Sequence, residues 1–210
     1  MNDENNATGE HITVRAGDGD AQAYLARPAA DPGRSEHPGV LLFMDAIGLR
    51  PQIEKMARRI ASWGYVVLAP NLFYREGTTA ETTPAEPLLD EHSRAAFFEH
   101  AMPRVHRLTD DKLARDIEAY LTALHGMSGV AASPVGITGY CMGGRLALLA
   151  AAEKPDDIGA VALFHTGGLV NDTPQSPHLR VAQVSAELLA YTPTTTARCR
   201  PKRSRSSSTP

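Results

Sequence analysis

The chain has 210 residues, of which 42% are hydrophobic and 21% charged, as expected for a globular protein large enough for one α/β domain. A net charge of −3 provides no general attraction to nucleic acid or membranes, and no apolar run reaches membrane-spanning length. Two cysteines do not suggest a disulfide framework, and the polar N-terminus lacks the features of a signal peptide. We therefore expect a cytoplasmic protein without a membrane partner.

The first segments predict strands. Residues 1–10 are polar, and we expect a flexible N-terminus there. Short strands are expected over 11–15 and 21–27, because Gly17-Asp18-Gly19 between them is a hairpin signal. The continuous apolar run 40–44 is typical of a strand buried on both faces of a sheet.

A helix follows Pro51, since apolar residues recur there at a spacing of three and four until Gly64. Residues 65–69 predict another buried strand. The periodicity then fades over 70–106. Connections of this length are usually functional or disordered, so we expect an excursion over the active site, with some helix near 92–100.

The second half alternates regularly. A helix is expected from the cap residue Thr109 to Gly126, and an Ala/Leu-rich helix follows the short strand that begins at Val135. Further strands are expected over 158–164 and 186–191. Such alternation predicts an α/β fold with a mostly parallel sheet flanked by helices. Sheets of this kind bind ligands at the carboxyl ends of their strands.

One strand-turn-helix segment indicates chemistry. Gly139-Tyr140-Cys141-Met142-Gly143 matches the G-x-S-x-G nucleophile elbow with cysteine in the serine position. A helix N-terminus favours the thiolate form of Cys141, and the N–H of Met142 would point towards a substrate oxyanion. The alternative is that Cys141 is only a small residue packed in a tight turn.

Three segments give the chain a resemblance to the dienelactone hydrolase family, a cysteine-using branch of the α/β-hydrolases. They are Val-Leu-Leu-Phe-Met-Asp-Ala-Ile-Gly-Leu-Arg-Pro at 40–51, Gly-Tyr-Val-Val-Leu-Ala-Pro-Asn-Leu-Phe at 64–73, and Gly-Tyr-Cys-Met-Gly-Gly-Arg-Leu-Ala at 139–147. The resemblance implies an α/β-hydrolase domain over 11–190. It also implies hydrolysis of a small-molecule lactone or carboxylic ester without a metal or other cofactor.

The resemblance also implies roles at the catalytic edge. Cys141 matches the nucleophile, the N–H groups of Ala46 and Met142 match the oxyanion hole, and Asp45 matches an acid that interacts with the resting thiol. Asp45 departs from the founding lactonases, which have Glu at this position. The alternative for Asp45 is a carboxylate that caps its loop.

Four further residues are candidates for lining the pocket. His165 follows the strand over 158–164, and we favour pocket lining or a satisfied polar contact over a role as general base, because the family places its base after a later strand. Phe73 and Tyr74 lie in the excursion. Arg75 follows them and could bind a substrate carboxylate with two hydrogen bonds, but we favour an ordinary exposed arginine.

The C-terminal residues depart from the family pattern. The family mechanism needs an Asp and a His after the strand over 186–191, but the region 191–210 is basic and contains neither. We therefore expect a fold lacking the last strand and helix, a truncated chain and impaired activity. The alternative function is a non-catalytic small-molecule binding or interaction protein.

A frameshift near codons 189–191 would explain this departure. Read in the next frame, the codons after Tyr191 can give His-Pro-Asp-Asn-Asp-Arg-Ser-Met-Pro-Pro-Glu-Ala-Ile-Glu, which resembles the family and includes the catalytic Asp. The alternatives for 191–210 are a disordered basic tail and a nucleic-acid-binding patch. We expect no nucleic-acid partner, since nothing else in the chain suggests such a fold.

Overall fold

A mixed β-sheet forms the centre of the molecule in the computed structural model, which describes residues 7–31 and 33–191. Its seven strands in this part of the chain are β1 (Ala7–Ala16), β2 (Gly19–Pro28), β3 (Gly39–Phe43), β4 (Val66–Pro70), β5 (Val135–Tyr140), β6 (Ile158–Phe164) and β7 (Glu187–Tyr191). Their spatial order is β1-β2-β4-β3-β5-β6-β7. β1 and β2 are antiparallel to their neighbours, and the other five strands are parallel. The predicted mostly parallel α/β architecture is confirmed.

Helices cover both faces of this sheet, but not evenly. They are α1 (Pro51–Ala61), α2 (Thr79–Thr82), α3 (Glu91–Arg107), α4 (Asp110–His125) and α5 (Met142–Glu153), with a 3-10 helix at Pro177–Gln183. α1 packs on β1, β2 and β4, whereas α5 packs on β3, β5 and β6. Every residue of β3 and β4 is buried, as their continuous apolar runs predict.

The N-terminus is more ordered than its polarity suggests. The expectation of a flexible segment over 1–10 is wrong for residues 7–10, which belong to β1 and pair with residues 25–28 of β2. Backbone pairing fixes these residues whether or not their side chains are buried, and polarity alone does not reveal it. Residues 1–6 lie outside the described part of the chain.

The excursion over 70–106 is also more ordered than predicted. α3 extends to Arg107, well beyond the helix expected near 92–100. It begins with a capping box in which the Asp90 carboxylate accepts from the Ser93 N–H at 2.7 Å. The helix buries only Ala101 and Val105, so the sequence carries almost no amphipathic signal.

The predicted tail lies mostly outside the described residues. Tyr191 is the last residue of β7, so the boundary placed at 191 is one residue early. The expected disorder of 192–210 and the frameshift stay predictions. Of the helices within 7–31 and 33–191, none combines the length and the apolar character needed to cross a membrane.

Candidate active site

Cys141 occupies a strained backbone position between β5 and α5. Its φ and ψ are 53° and −112°, a combination that L-residues rarely adopt. The Cys141 N–H donates to the carbonyl oxygen of Phe164 at 3.0 Å, which ties the turn to the end of β6. The residue is half-buried. This is the sharp strand-to-helix turn that a nucleophile elbow requires.

Two glycines allow the turn to close. A Cβ on Gly139 would lie 2.2 Å from the carbonyl carbon of Gly143. A Cβ on Gly143 would lie 2.4 Å from the carbonyl oxygen of Phe43 and 2.5 Å from that of Met44. The first turn of α5 therefore lies in close contact with the end of β3.

The turn that follows β3 is built around the carboxylate of Asp45. The Asp45 Oδ1 accepts from the Ile47 N–H at 2.9 Å, and the backbone carbonyl oxygen of Asp45 accepts from the Gly48 N–H at 3.2 Å. The Arg50 guanidinium donates to both carboxylate oxygens, at 2.6 and 2.9 Å, and both side chains are about one-fifth exposed. These contacts fit the loop-capping alternative for Asp45 and fix the turn that contains Ala46.

Arg50 is a residue that the sequence analysis did not single out. It lies within the segment 40–51 that carries the family resemblance. Its forked pairing with the carboxylate makes two parallel charge-assisted hydrogen bonds, which hold a turn in one geometry. An arginine five residues after the matched acid is the signal that could have identified it.

The end of β6 supplies the other side of the candidate site. His165 is exposed and has a φ of 53°, and its N–H donates to the Tyr191 carbonyl oxygen at 2.9 Å. Thr166 is buried, and its hydroxyl has no hydrogen-bond partner among residues 7–31 and 33–191. This hydroxyl would lie 2.1 Å from a Cβ on Gly144, so Gly144 makes room for it.

Arg75 has a structural partner rather than an open anion-binding face. Its Nη1 and Nη2 donate to Asp116 at 2.7 and 2.8 Å, and its Nε donates to Asp18 at 2.6 Å. The Tyr74 hydroxyl also donates to Asp116, at 2.8 Å, and burial raises the pKa of Tyr74 to about 12. The interpretation of Arg75 as an ordinary exposed arginine is wrong, because its side chain is only 15% exposed. Binding of a substrate carboxylate by Arg75 stays a prediction, although two carboxylates of the chain already engage the guanidinium.

Phe73 is likewise a packing residue. It is 1% exposed, and the Arg104 guanidinium lies over its ring at 4.9 Å. The structure thus brings together the elbow, the turn at Asp45 and the end of β6 at one edge of the sheet. Tyr74 and Arg75 instead form a partly buried hydrogen-bond network with Asp116, and Phe73 packs in the core.

A large groove lies elsewhere on the sheet. Its volume is about 570 Å³, and the residues lining it include Trp63, Tyr140, Phe164 and Leu189, but not Cys141. The rings of Tyr140 and Phe164 stack there, with centroids 5.1 Å apart. The groove is an open sheet face and not the candidate active site.

Comparison with known proteins identifies the family. A protein from Methylorubrum extorquens assigned as a carboxymethylenebutenolidase is 28% identical over 188 residues, which are 90% of this chain and 59% of that protein. A Bradyrhizobium protein assigned as a 2-oxo-3-(5-oxofuran-2-ylidene)propanoate lactonase is 30% identical over 171 residues, which are 80% of this chain and 62% of that protein. The chain thus spans about three-fifths of the length of these relatives.

A solved structure agrees with the fold. A protein from Klebsiella pneumoniae subsp. pneumoniae assigned as a dienelactone hydrolase superposes with a TM-score of 0.70 at 22% identity, over 88% of this chain and 71% of the other. The model of the dienelactone hydrolase family matches residues 21–195, which include the elbow and the turn at Asp45. This chain belongs to the dienelactone hydrolase family.

Proposed function

We propose that this chain reacts with lactones or carboxylic esters through the Cys141 thiolate. The observation that carries the proposal is the strained backbone of Cys141 at the junction of β5 and α5, held by the hydrogen bond to Phe164. Strain of this kind persists only where the surrounding structure enforces it, and it concentrates at functional sites. The helix N-terminus favours the thiolate, the reactive form of cysteine.

The reaction forms and breaks bonds at one carbonyl. The Cys141 sulfur attacks the carbonyl carbon, and the electron pair of the C=O bond moves to the oxygen. Collapse of this intermediate expels the alkoxide of the ester or lactone, which takes up a proton, and leaves a thioester on Cys141. Water then hydrolyses the thioester and releases the acid and the thiol.

The oxyanion would be bound by the N–H groups of Ala46 and Met142. Met142 is the first residue of α5, and the first N–H groups of a helix have no acceptor within it. Ala46 follows Asp45 in the turn that Arg50 fixes. The close approach of Gly143 to the end of β3 supports this pairing, because it brings the two backbone segments into contact.

We infer that hydrolysis of the thioester is slower than its formation. Residues 192–210 contain neither the Asp nor the His that the family mechanism requires after β7. A polypeptide of these 210 residues would therefore depend on the nucleophile, the oxyanion amides and binding for catalysis. The assigned names of the relatives favour a small lactone or ester as substrate, and a thiol nucleophile favours the cytoplasm.

Two cysteine variants test the function. p-Nitrophenyl acetate should give a burst of about one equivalent of p-nitrophenol per chain, followed by slow turnover. Cys141→Ala should abolish the burst, whereas the matched control Cys199→Ala should retain it. Mass spectrometry should locate the acetyl group, and a competing iodoacetamide label, on Cys141.

The opposite result supports the alternative function. No burst, together with alkylation of Cys141 no faster than that of Cys199, would contradict a nucleophilic role. It would favour a non-catalytic small-molecule binding protein on the same fold.

A further inference from the structure

The guanidinium of Arg104, on α3, lies against two aromatic rings. Its central carbon is 4.9 Å from the ring centroid of Phe73 and 5.3 Å from that of Phe97. Its Nε and Nη2 atoms are buried and have no hydrogen-bond partner among residues 7–31 and 33–191. These two nitrogens lie on the same edge of the planar group, so their N–H groups form a fork that can hold a single acceptor.

A small cavity lies beside this arginine. Its volume is about 10 Å³, which is room for roughly one water-sized particle. Four of the side chains that line it are basic and one is acidic; they are Arg75, Arg104, Arg107, Lys112 and Glu76. A cavity lined mostly by one sign of charge concentrates ions of the opposite sign, so this one favours an anion.

The carboxylates near the cavity are already engaged by other arginines. Glu76 accepts from the Nε and Nη2 of Arg107 at 2.9 and 2.6 Å, and Arg75 is paired with Asp116 and Asp18. Burial lowers the pKa of Arg104 below its usual range, and the charge of Glu76 offsets this effect only in part. The buried edge of the guanidinium therefore carries a positive charge that the described residues compensate incompletely, and such a charge is costly without a counter-ion.

We propose that this cavity binds one monatomic anion, chloride, held by the Nε–H and Nη2–H groups of Arg104 and attracted by Arg107 and Lys112. A water molecule would supply an acceptor for the fork, but it would leave the charge of Arg104 uncompensated. The anion also strengthens the attachment of α3, which buries only Ala101 and Val105, to the segment that contains Phe73.

The site is formed without the part of the chain that follows β7. All of its lining residues lie between 72 and 112. Leu72 and Phe73 follow β4, and three strands separate β4 from β7 in the sheet. At the usual strand spacing this separation is about 19 Å. The unpaired fork of Arg104 is therefore a property of the segment 72–112 and not of the sheet edge at β7.

Line broadening in chlorine NMR of the full chain tests the site. The protein should broaden the chloride resonance, and bromide should reverse the broadening by competition. Arg104→Met keeps a long side chain against Phe73 but removes the fork and its charge, so it should raise the dissociation constant for chloride about tenfold or more. Arg94→Met is the matched control, because Arg94 is exposed on the same helix, lies over the Phe98 ring at 6.0 Å and does not line the cavity.

Thermal melting provides an independent measurement. An ion that binds only the folded chain raises the melting temperature, by about 4 °C at ten times its dissociation constant. At equal ionic strength the wild-type chain should therefore melt higher in sodium chloride than in sodium gluconate, whose anion is too large for the cavity. Arg104→Met should melt at the same temperature in both salts, and Arg94→Met should keep the difference.

Circular dichroism establishes that each variant is folded before chloride is added. Lys112→Met should also weaken chloride binding, so it tests the site even if Arg104→Met does not fold. Broadening that persists in Arg104→Met, or that Arg94→Met reduces equally, would overturn the proposal. A wild-type chain that melts equally in both salts and causes no broadening would overturn it too, because the cavity would then hold water. Acetate that displaces chloride as effectively as bromide would contradict a monatomic ion.

Discussion

Replacing Gly143 with alanine tests whether the contact between α5 and β3 builds the oxyanion site. The new Cβ would lie 2.4 Å from the Phe43 carbonyl oxygen and 2.5 Å from that of Met44. Both oxygens belong to the backbone at the end of a central strand, so the first turn of α5 must retreat by about 1 Å to restore contact distance. Overpacking of this kind lowers the free energy of unfolding by about 3 kcal/mol at the upper end. The better helix propensity of alanine raises it again by about 1 kcal/mol. The net loss of unfolding free energy is about 2 kcal/mol.

The same displacement should reduce reactivity. A shift of about 1 Å in the amide of Met142 costs about 100-fold in rate when that amide binds the oxyanion. We therefore expect the rate of the p-nitrophenyl acetate burst to fall about 100-fold in Gly143→Ala. Urea titration followed by circular dichroism measures the stability loss, and the burst is recorded where the variant is fully folded.

Gly167→Ala is the matched control. A Cβ there meets nothing within 4 Å, so its stability should change by less than about 0.5 kcal/mol and its burst should be unaffected. If Gly143→Ala acylates within threefold of Gly167→Ala, the close approach of α5 to β3 does not position the oxyanion amides, and the reasoning fails.

Three further results are expected. Asp116→Asn should lower the unfolding free energy by about 3 kcal/mol, measured by urea titration, because it leaves the largely buried Arg75 guanidinium without its main countercharge; a loss below about 1 kcal/mol would contradict this. Hydrogen bonds from Arg115 and then Arg75 lower the pKa of Asp18 to about 2, so the melting temperature should fall as the pH drops from about 4 to about 2, and Asp18→Asn should weaken this dependence. Gly144→Ala should lower the free energy of unfolding, because its new Cβ would contact the Thr166 hydroxyl. In a double-mutant cycle Thr166→Ala should recover part of this loss, and full additivity of the two substitutions would refute the contact.

The elements that could be predicted were those with a strong local pattern. The apolar run at 158–164 has the same bounds as β6, and the run at 40–44 differs from β3 by one residue at each end. The helix expected near 92–100 lies within α3, but the extension of α3 to Arg107 escaped prediction because the helix buries almost no apolar stripe. The extension of β1 to Ala7 escaped because hydrogen bonds to β2 determine it, and not the character of its side chains.

At the candidate site, too, features with a local sequence pattern could be predicted, and contacts that depend on the fold could not. The elbow could be predicted because a strained nucleophile position needs glycines nearby, and those glycines are visible as a motif. The partners of Arg75 could not be predicted, because Asp116 and Asp18 are 41 and 57 residues away in sequence and only the fold brings them together. Arg50 is only five residues from Asp45, but its pairing depends on the geometry of the intervening turn.

Two backbone hydrogen bonds at the carboxyl edge of the sheet connect Cys141 to the ends of β6 and β7. The carbonyl oxygen of Tyr191, the last residue of β7, accepts from the His165 N–H. The carbonyl oxygen of Phe164, the last residue of β6, accepts from the Cys141 N–H. Cys141 is thus connected through the ends of β6 and β7 to the outermost strand of the described sheet. Opening of β7 would release the end of β6 first and then loosen the turn at Cys141, so the rigidity of this turn depends on the edge strand of the described sheet. Amide hydrogen exchange should follow that order, faster at His165 than at Cys141.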